Sequence, residues 1–197
     1  MIKRAAVLGS PVSHSLSPLI HNHAYSLLGF SGSYQAIEVK SGQLASYLEQ
    51  ELLREDLLGF SLTMPLKEEL TAISNAALLV DSRSKEIISA NTIYRDGDIW
   101  SVTSTDVDGF EFLTEDLSFS SVAILGAGGT ARAAIAALAP RGIKIEVYRR
   151  SSDRDPSLIN SALGFNIEIR DWERCAQAWE SELVINTIPS DQVLSMT

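Results

Sequence analysis

Apolar positions recur along this chain in two spacings, and the alternation of those spacings organises it. Residues 122–125, Val-Ala-Ile-Leu, form an uninterrupted apolar run that predicts a strand buried on both faces. Gly126-Ala127-Gly128-Gly129 follows at once, and residues 130–139, rich in alanine and leucine, predict a helix. Upstream, residues 5–9, 34–39 and 57–63 read as strands, and residues 42–54 place Leu44, Tyr47, Leu48 and Leu52 at helical spacing. A helix is predicted to begin with Ser17 as N-cap and Pro18 in the first helical position; Ile20, Ala24, Leu27 and Leu28 form one apolar stripe before Gly29. Residues 76–88 read as a pair of helical turns. Two short strands, 90–94 and 99–102, flank Asp96-Gly97, a hairpin turn signal. Residues 104–109 open a helix that runs through 110–117. Beyond the glycines, 143–148, 162–169 and 183–188 read as strands, and 171–179 as a helix burying Cys175 or Trp172.

Strand and helix in alternation imply α/β architecture with parallel sheets. The predicted division is an α/β domain over residues 1–105, a linking helix over 106–118, and a second α/β domain over 119–197. The second domain shows about four strands where a dinucleotide fold has six, so it reads as incomplete at its C-terminal end.

Composition narrows the function classes. With 45% hydrophobic and 21% charged residues, the 197-residue chain has the make-up of a globular protein with a real core. Its one cysteine, Cys175, excludes an intrachain disulfide, and no apolar run reaches the roughly 18 residues of a membrane span. Lys3-Arg4 precedes only five apolar or small residues, too few for a signal peptide, so a cytoplasmic location is expected. Residues 1–118 carry 8 Lys and Arg against 16 Asp and Glu, and residues 119–197 carry 8 against 9. Neither half offers the basic face that nucleic acid requires.

The candidate chemistry lies where strands end. Gly126, Ala127, Gly128, Gly129 and Thr130 sit where a strand hands over to a helix N-terminus, a place where backbone N–H groups and the helix dipole hold a pyrophosphate. Counting 20 residues from Gly129 reaches Arg149, where an NAD fold usually places an acid for the ribose 2′-hydroxyl. Arg149, Arg150 and Arg154 there would instead clamp a 2′-phosphate, which predicts NADP(H) as cofactor; Glu146 lies inside the strand. Ser15 and Ser17 at a helix start suit a carboxylate. Thr63 and Lys67 follow a strand's carboxyl end, where ligands bind in open α/β sheets. Asp106, near the start of its helix, would ordinarily be an N-cap. His14, His21 and His23 have neither the spacing nor the companions of a metal site, so no metal is expected.

These segments together resemble the shikimate dehydrogenase family. The likeness is carried by Gly9-Ser10-Pro11-Val12, His14-Ser15-Leu16-Ser17-Pro18, His21-Asn22, residues 59–67, Ala90-Asn91-Thr92, Ser104-Thr105-Asp106 with Gly109, Gly126–Ala131, Arg150-Ser151 with Arg154, and Asn186-Thr187 with Pro189. The resemblance implies an N-terminal α/β substrate domain and a Rossmann-like NADP-binding domain that interconvert 3-dehydroshikimate and shikimate with NADPH, in aromatic amino-acid biosynthesis. It makes Ser15 and Ser17 the carboxylate-binding hydroxyls, sets Thr63, Lys67, Asn91 and Asp106 around the ring hydroxyls, and puts Asn186 and Thr187 at the cofactor. Lys67 and Asp106 become the catalytic pair. Ser61 stands where many members carry asparagine, Ser104 where the motif reads Asn-Thr-Asp, and Arg149 where asparagine commonly precedes the arginine. Members run on past Thr197, with further strands and a returning helix that supplies a tyrosine and a glutamine. A fragment is therefore one expectation, with self-association through exposed core. Quinate or another cyclic hydroxy acid as substrate, and a silent NADP- or metabolite-binding module, are the alternatives.

Overall fold

The computed structural model describes residues 2–188, so Pro189 lies outside the described residues. The chain divides into two compact units, the first formed by residues up to Lys85 with Ser89–Ser104, the second by Glu86–Ile88 and the chain from Thr105 onward.

The first unit carries β1 (Lys3–Gly9), α1 (Ser17–Leu27), β2 (Gly32–Glu38), α2 (Leu44–Glu51), β3 (Leu57–Leu62), α3 (Leu66–Ala72), β4 (Leu78–Val80), α4 (Ser82–Glu86), β5 (Thr92–Asp96) and β6 (Ile99–Thr103). They form one sheet in the order β2-β1-β3-β5-β6-β4. Strands β2, β1 and β3 are parallel, but β5 runs antiparallel to both β3 and β6, so the sheet is mixed rather than all parallel. The hairpin at Asp96-Gly97 causes this, because a two-residue turn joins only antiparallel neighbours. Residues 76–88 are not simply helical turns. Leu78-Leu79-Val80 pairs with β6, Val80 opposite Val102, and only the end of the segment coils into α4. Leu44, Leu48, Leu66 and Leu70 from α2 and α3 are fully buried against Leu8, Leu62 and Ile93, and the Trp100 indole N–H donates to the Leu52 carbonyl at 3.2 Å.

Helix α1 is turned the other way from its stripe. No residue of it is buried; Leu16, at the N-cap, with Leu19, Ile20 and Leu27 of the helix, is 62–75% exposed. The inward side carries His21, stacked on Tyr34 with ring centroids 4.0 Å apart, and Tyr25, which packs with Val7, Val12 and Tyr34. The reason is the sheet edge. Strand β2 has one neighbour only, and the Asn22 side chain supplies the missing partner: its amide donates to the Tyr34 carbonyl at 2.8 Å and its oxygen accepts from the Tyr34 N–H at 2.9 Å. Asn22→Ala is expected to lower stability by about 1–2 kcal/mol, whereas Leu27→Lys should stay within about 0.5 kcal/mol of the parent in urea unfolding. Equal effects would refute this account of the helix.

The second unit comprises α5 (Thr105–Thr114), β7 (Ser121–Leu125), α6 (Gly129–Leu138), β8 (Lys144–Arg149), α7 (Asp155–Ser161), β9 (Glu168–Asp171), a 3₁₀ segment (Trp172–Glu180) and β10 (Leu183–Asn186). Its four strands are all parallel, in the order β10-β7-β8-β9. Helices α5, α6 and α7 bury Val107, Ile135, Leu138 and Leu158 against Ile124 and Val147; the 3₁₀ segment seats Ala178 on Ala123, Leu125 and Tyr148. The linking helix expected over 106–118 spans Thr105–Thr114 and falls within this unit. The strand expected over 162–169 shrinks to β9, because Leu163 and Gly164 take up positive φ in a turn after α7. Arg132 is 1% exposed within α6 and donates to the Ile88 carbonyl at 2.8 Å and the Ser157 hydroxyl at 3.4 Å, which ties residues 86–88 to this unit.

Candidate active site

In the first unit the loops at the carboxyl ends of β1 and β3 are fastened together by their backbones. The Ser10 N–H donates to the Met64 carbonyl at 3.1 Å, the Leu62 N–H to the Asn91 carbonyl at 2.7 Å, and the Ala90 N–H to the Lys67 carbonyl at 3.0 Å. A Cβ on Gly9 would lie 2.4 Å from Thr63 Cγ2, so the approach of the two strand ends requires glycine there. Cis peptide bonds at Ser10-Pro11 and Met64-Pro65 shape both turns. Thr63 and Lys67 on the 62–67 segment, and Asn91 on the segment bonded to it, are each half-buried. Lys67 is the second residue of α3, and the Thr92 hydroxyl donates to the Asn91 side-chain oxygen at 3.3 Å.

Ser15 and Ser17 continue from the same loop, with their roles exchanged relative to the sequence reading. Helix α1 begins at Ser17 itself, its N-cap is Leu16, and the Ser17 N–H donates to the Ser15 hydroxyl at 3.3 Å. Ser15 thus satisfies an open helix N–H, leaving Ser17 within the first turn, with His21 Nδ1 at 2.9 Å from its carbonyl oxygen. Asp106, half-buried in the first turn of α5, belongs to the second unit.

The glycine turn of the second unit fits a dinucleotide. Gly126 has φ +115°, and a Cβ on it would meet Thr187 Oγ1 at 2.4 Å, while a Cβ on Gly128 would point into open space. The Gly126 N–H donates to the Tyr148 carbonyl at 2.9 Å, and the Thr187 hydroxyl donates to the Leu125 carbonyl at 2.8 Å, closing the turn from both sides. Gly128 is the extended N-cap of α6, so Gly129 and Thr130 open the helix with its first N–H groups unspent within it. Asn186 and Thr187 stand at the end of β10 beside this turn, and the Asn186 side-chain oxygen accepts from the Ile188 N–H at 3.0 Å.

The three arginines do not act alike. Arg149 is gripped by carboxylates: its Nε and Nη2 donate to Asp155 at 2.7 and 3.0 Å, and its Nη1 donates to Asp171. These bonds hold its guanidinium well above the ordinary arginine range, Asp155 first and Asp171 second. Arg150 and Arg154 lie exposed just beyond β8. Sequence counting missed Asp155 and Asp171, although Asp155-Pro156 as a helix start was a local signal. The hydrogen bonds from Arg149 also push the Asp155 pKa below the usual carboxylate value. A carboxylate depressed in the folded state adds stability that is present above its unfolded pKa, near 3.9, and is lost as pH falls through the folded value. Asp155→Asn is therefore expected to flatten the fall in urea midpoint between about pH 4 and pH 2, and an unchanged acid slope would contradict it.

A parallel sheet with a positive-φ glycine turn entering a helix makes the second unit a Rossmann-type dinucleotide fold, and the chain an α/β protein of two lobes. A sequence model described as the shikimate dehydrogenase substrate binding domain matches residues 7–93. Shikimate dehydrogenase (NADP(+)) of Hyphomonas neptunium is 34% identical over 187 residues, covering 92% of this chain and 67% of its own; that of Bartonella quintana is 34% identical, covering 93% and 63%. The crystal structure of Mycobacterium tuberculosis shikimate dehydrogenase superposes with a TM-score of 0.79 at 31% identity, covering 96% of this chain and 71% of that one. Shikimate 5-dehydrogenase of Thermus thermophilus, solved in complex with NADP(H) and shikimate, gives 0.77 at 30% identity, covering 94% and 68%. The chain belongs to the shikimate dehydrogenase family, and spans about two thirds of the length of these curated relatives.

Proposed function

We propose that this chain reduces 3-dehydroshikimate to shikimate with NADPH, a step of the shikimate pathway toward aromatic amino acids. The observation that supports it is the backbone clasp that ties residues 62–67, bearing Thr63 and Lys67, to residues 9–10 and to residues 90–91, bearing Asn91, at the carboxyl ends of β1 and β3. Ser15 and Ser17 bind the substrate carboxylate, and Thr63 and Asn91 its ring hydroxyls. When bound, NADPH supplies the hydride. Charge then develops on the carbonyl oxygen, and Lys67 stabilises it first as an ammonium and returns a proton second. Asp106 is the other member of the catalytic pair.

Gly126, Ala127, Gly128, Gly129 and Thr130 hold the pyrophosphate, with Asn186 and Thr187 beside them. Arg150 and Arg154 clamp the 2′-phosphate, while Arg149, spent on two aspartates, fixes the turn that presents them. The reading includes a cytoplasmic setting, in which the single thiol of Cys175 stays reduced; no helix among the described residues is long and apolar enough to cross a membrane. The test is an assay of the 197-residue protein with NADPH and 3-dehydroshikimate, run beside titrations of NADPH and NADH. Turnover with NADPH preferred supports the proposal. Binding without turnover would make the chain a silent module, and equal affinity for the two cofactors would remove the role of Arg150 and Arg154.

A further inference from the structure

The face of the second sheet opposite α6 holds a cavity of about 350 Å³ between the strands and the 3₁₀ segment, and every side chain lining it is polar. It includes Ser121 and Lys144, the first residues of β7 and β8, so it opens at the end of the strands away from the glycine turn. On its floor Glu146, 9% exposed, is already neutralised by Lys144 and Arg170, each at 3.3 Å. The rim is different. Arg174 donates its Nε to Gln177 at 3.0 Å and meets no carboxylate, and Glu180 meets no cation, among the described residues. Tyr148, one pleat beyond Glu146 and fully buried, has a hydroxyl without a hydrogen-bond partner, in the field of Glu146, Arg170, Glu180 and Arg174.

A 3₁₀ helix has three residues per turn, so Arg174, Gln177 and Glu180 stand in one row about 12 Å long, cation, amide and anion in order. A simple anion would satisfy Arg174 but face Glu180, and a simple cation would do the reverse. We propose that this cleft binds an elongated zwitterion of short-peptide class, its carboxylate on Arg174, its amide on Gln177 and its ammonium on Glu180. An extended tripeptide is about 10 Å long, which matches the row. This site is independent of the dinucleotide turn and of the proposed reaction.

The probe is triglycine, titrated into the ¹⁵N-labelled protein and followed through the amide shifts of residues 174–181, with N-acetyltriglycine and triglycine amide as controls. Saturable millimolar binding is expected, weakened at least fivefold by removing either terminal charge from the probe and by Arg174→Gln or Glu180→Gln. Absence of saturable shifts, equal binding of all three probes, or parental affinity in Arg174→Gln and Glu180→Gln would overturn the assignment.

Discussion

Lys67→Ala is expected to lower kcat for 3-dehydroshikimate reduction at least about a hundredfold while leaving NADPH affinity near that of the parent. The fold should survive the change. Alanine is the best helix former, and the bond that anchors this position, from the Ala90 N–H, is taken by the residue 67 carbonyl, which the substitution keeps. What goes is the ammonium, and with it the group proposed to meet the oxyanion as hydride arrives. Steady-state kinetics and a cofactor titration on the same sample separate chemistry from binding. Retention of most of the parental kcat would end the assignment of Lys67.

Gly126→Ala is expected to cost about 2–4 kcal/mol of stability and to abolish measurable NADPH binding. Two penalties coincide there. The backbone sits at φ +115°, where an L side chain is strained, and the added Cβ would lie 2.4 Å from Thr187 Oγ1, whose own bond to the Leu125 carbonyl prevents it from yielding. Gly128→Ala is the informative companion. Its Cβ meets nothing within 4 Å and its φ is ordinary, so urea unfolding should hardly move, yet that Cβ occupies the space through which a pyrophosphate approaches. Loss of affinity in both variants with loss of stability in one alone is the expected pattern; unaltered NADPH binding by the second would mean that the turn is not a phosphate cradle.

The sequence foretold what is decided locally. Residues 122–139 fold as their pattern implies because a buried parallel strand, a glycine turn and an alanine-rich helix are each set by neighbours in the chain. The same holds for β8 and β10 of the second unit, and for the hairpin at Asp96-Gly97. What was not legible depended on distant partners. A three-residue strand such as Leu78-Leu79-Val80 is too short to carry a period, and exists because β6 is there to pair with it. Arg149 falls where counting puts a phosphate ligand, but Asp155 and Asp171, 6 and 22 residues away, reach it first. Ser17 had every mark of a cap, yet the helix begins at Ser17 itself, one residue earlier than expected, and Ser15 takes the bond. The backbone links that tie residues 62–67 to residues 9–10 and 90–91 are likewise something no spacing announces.

The reversed seating of α1 has a practical corollary. Because the helix is held by an amide, a stacked imidazole and a tyrosine, its leucines contribute little to the integrity of the fold. Solubility and thermodynamic robustness are therefore separable at this surface, and lysines or glutamates introduced at positions 16, 19, 20 and 27 should improve handling of the protein without touching what keeps it folded.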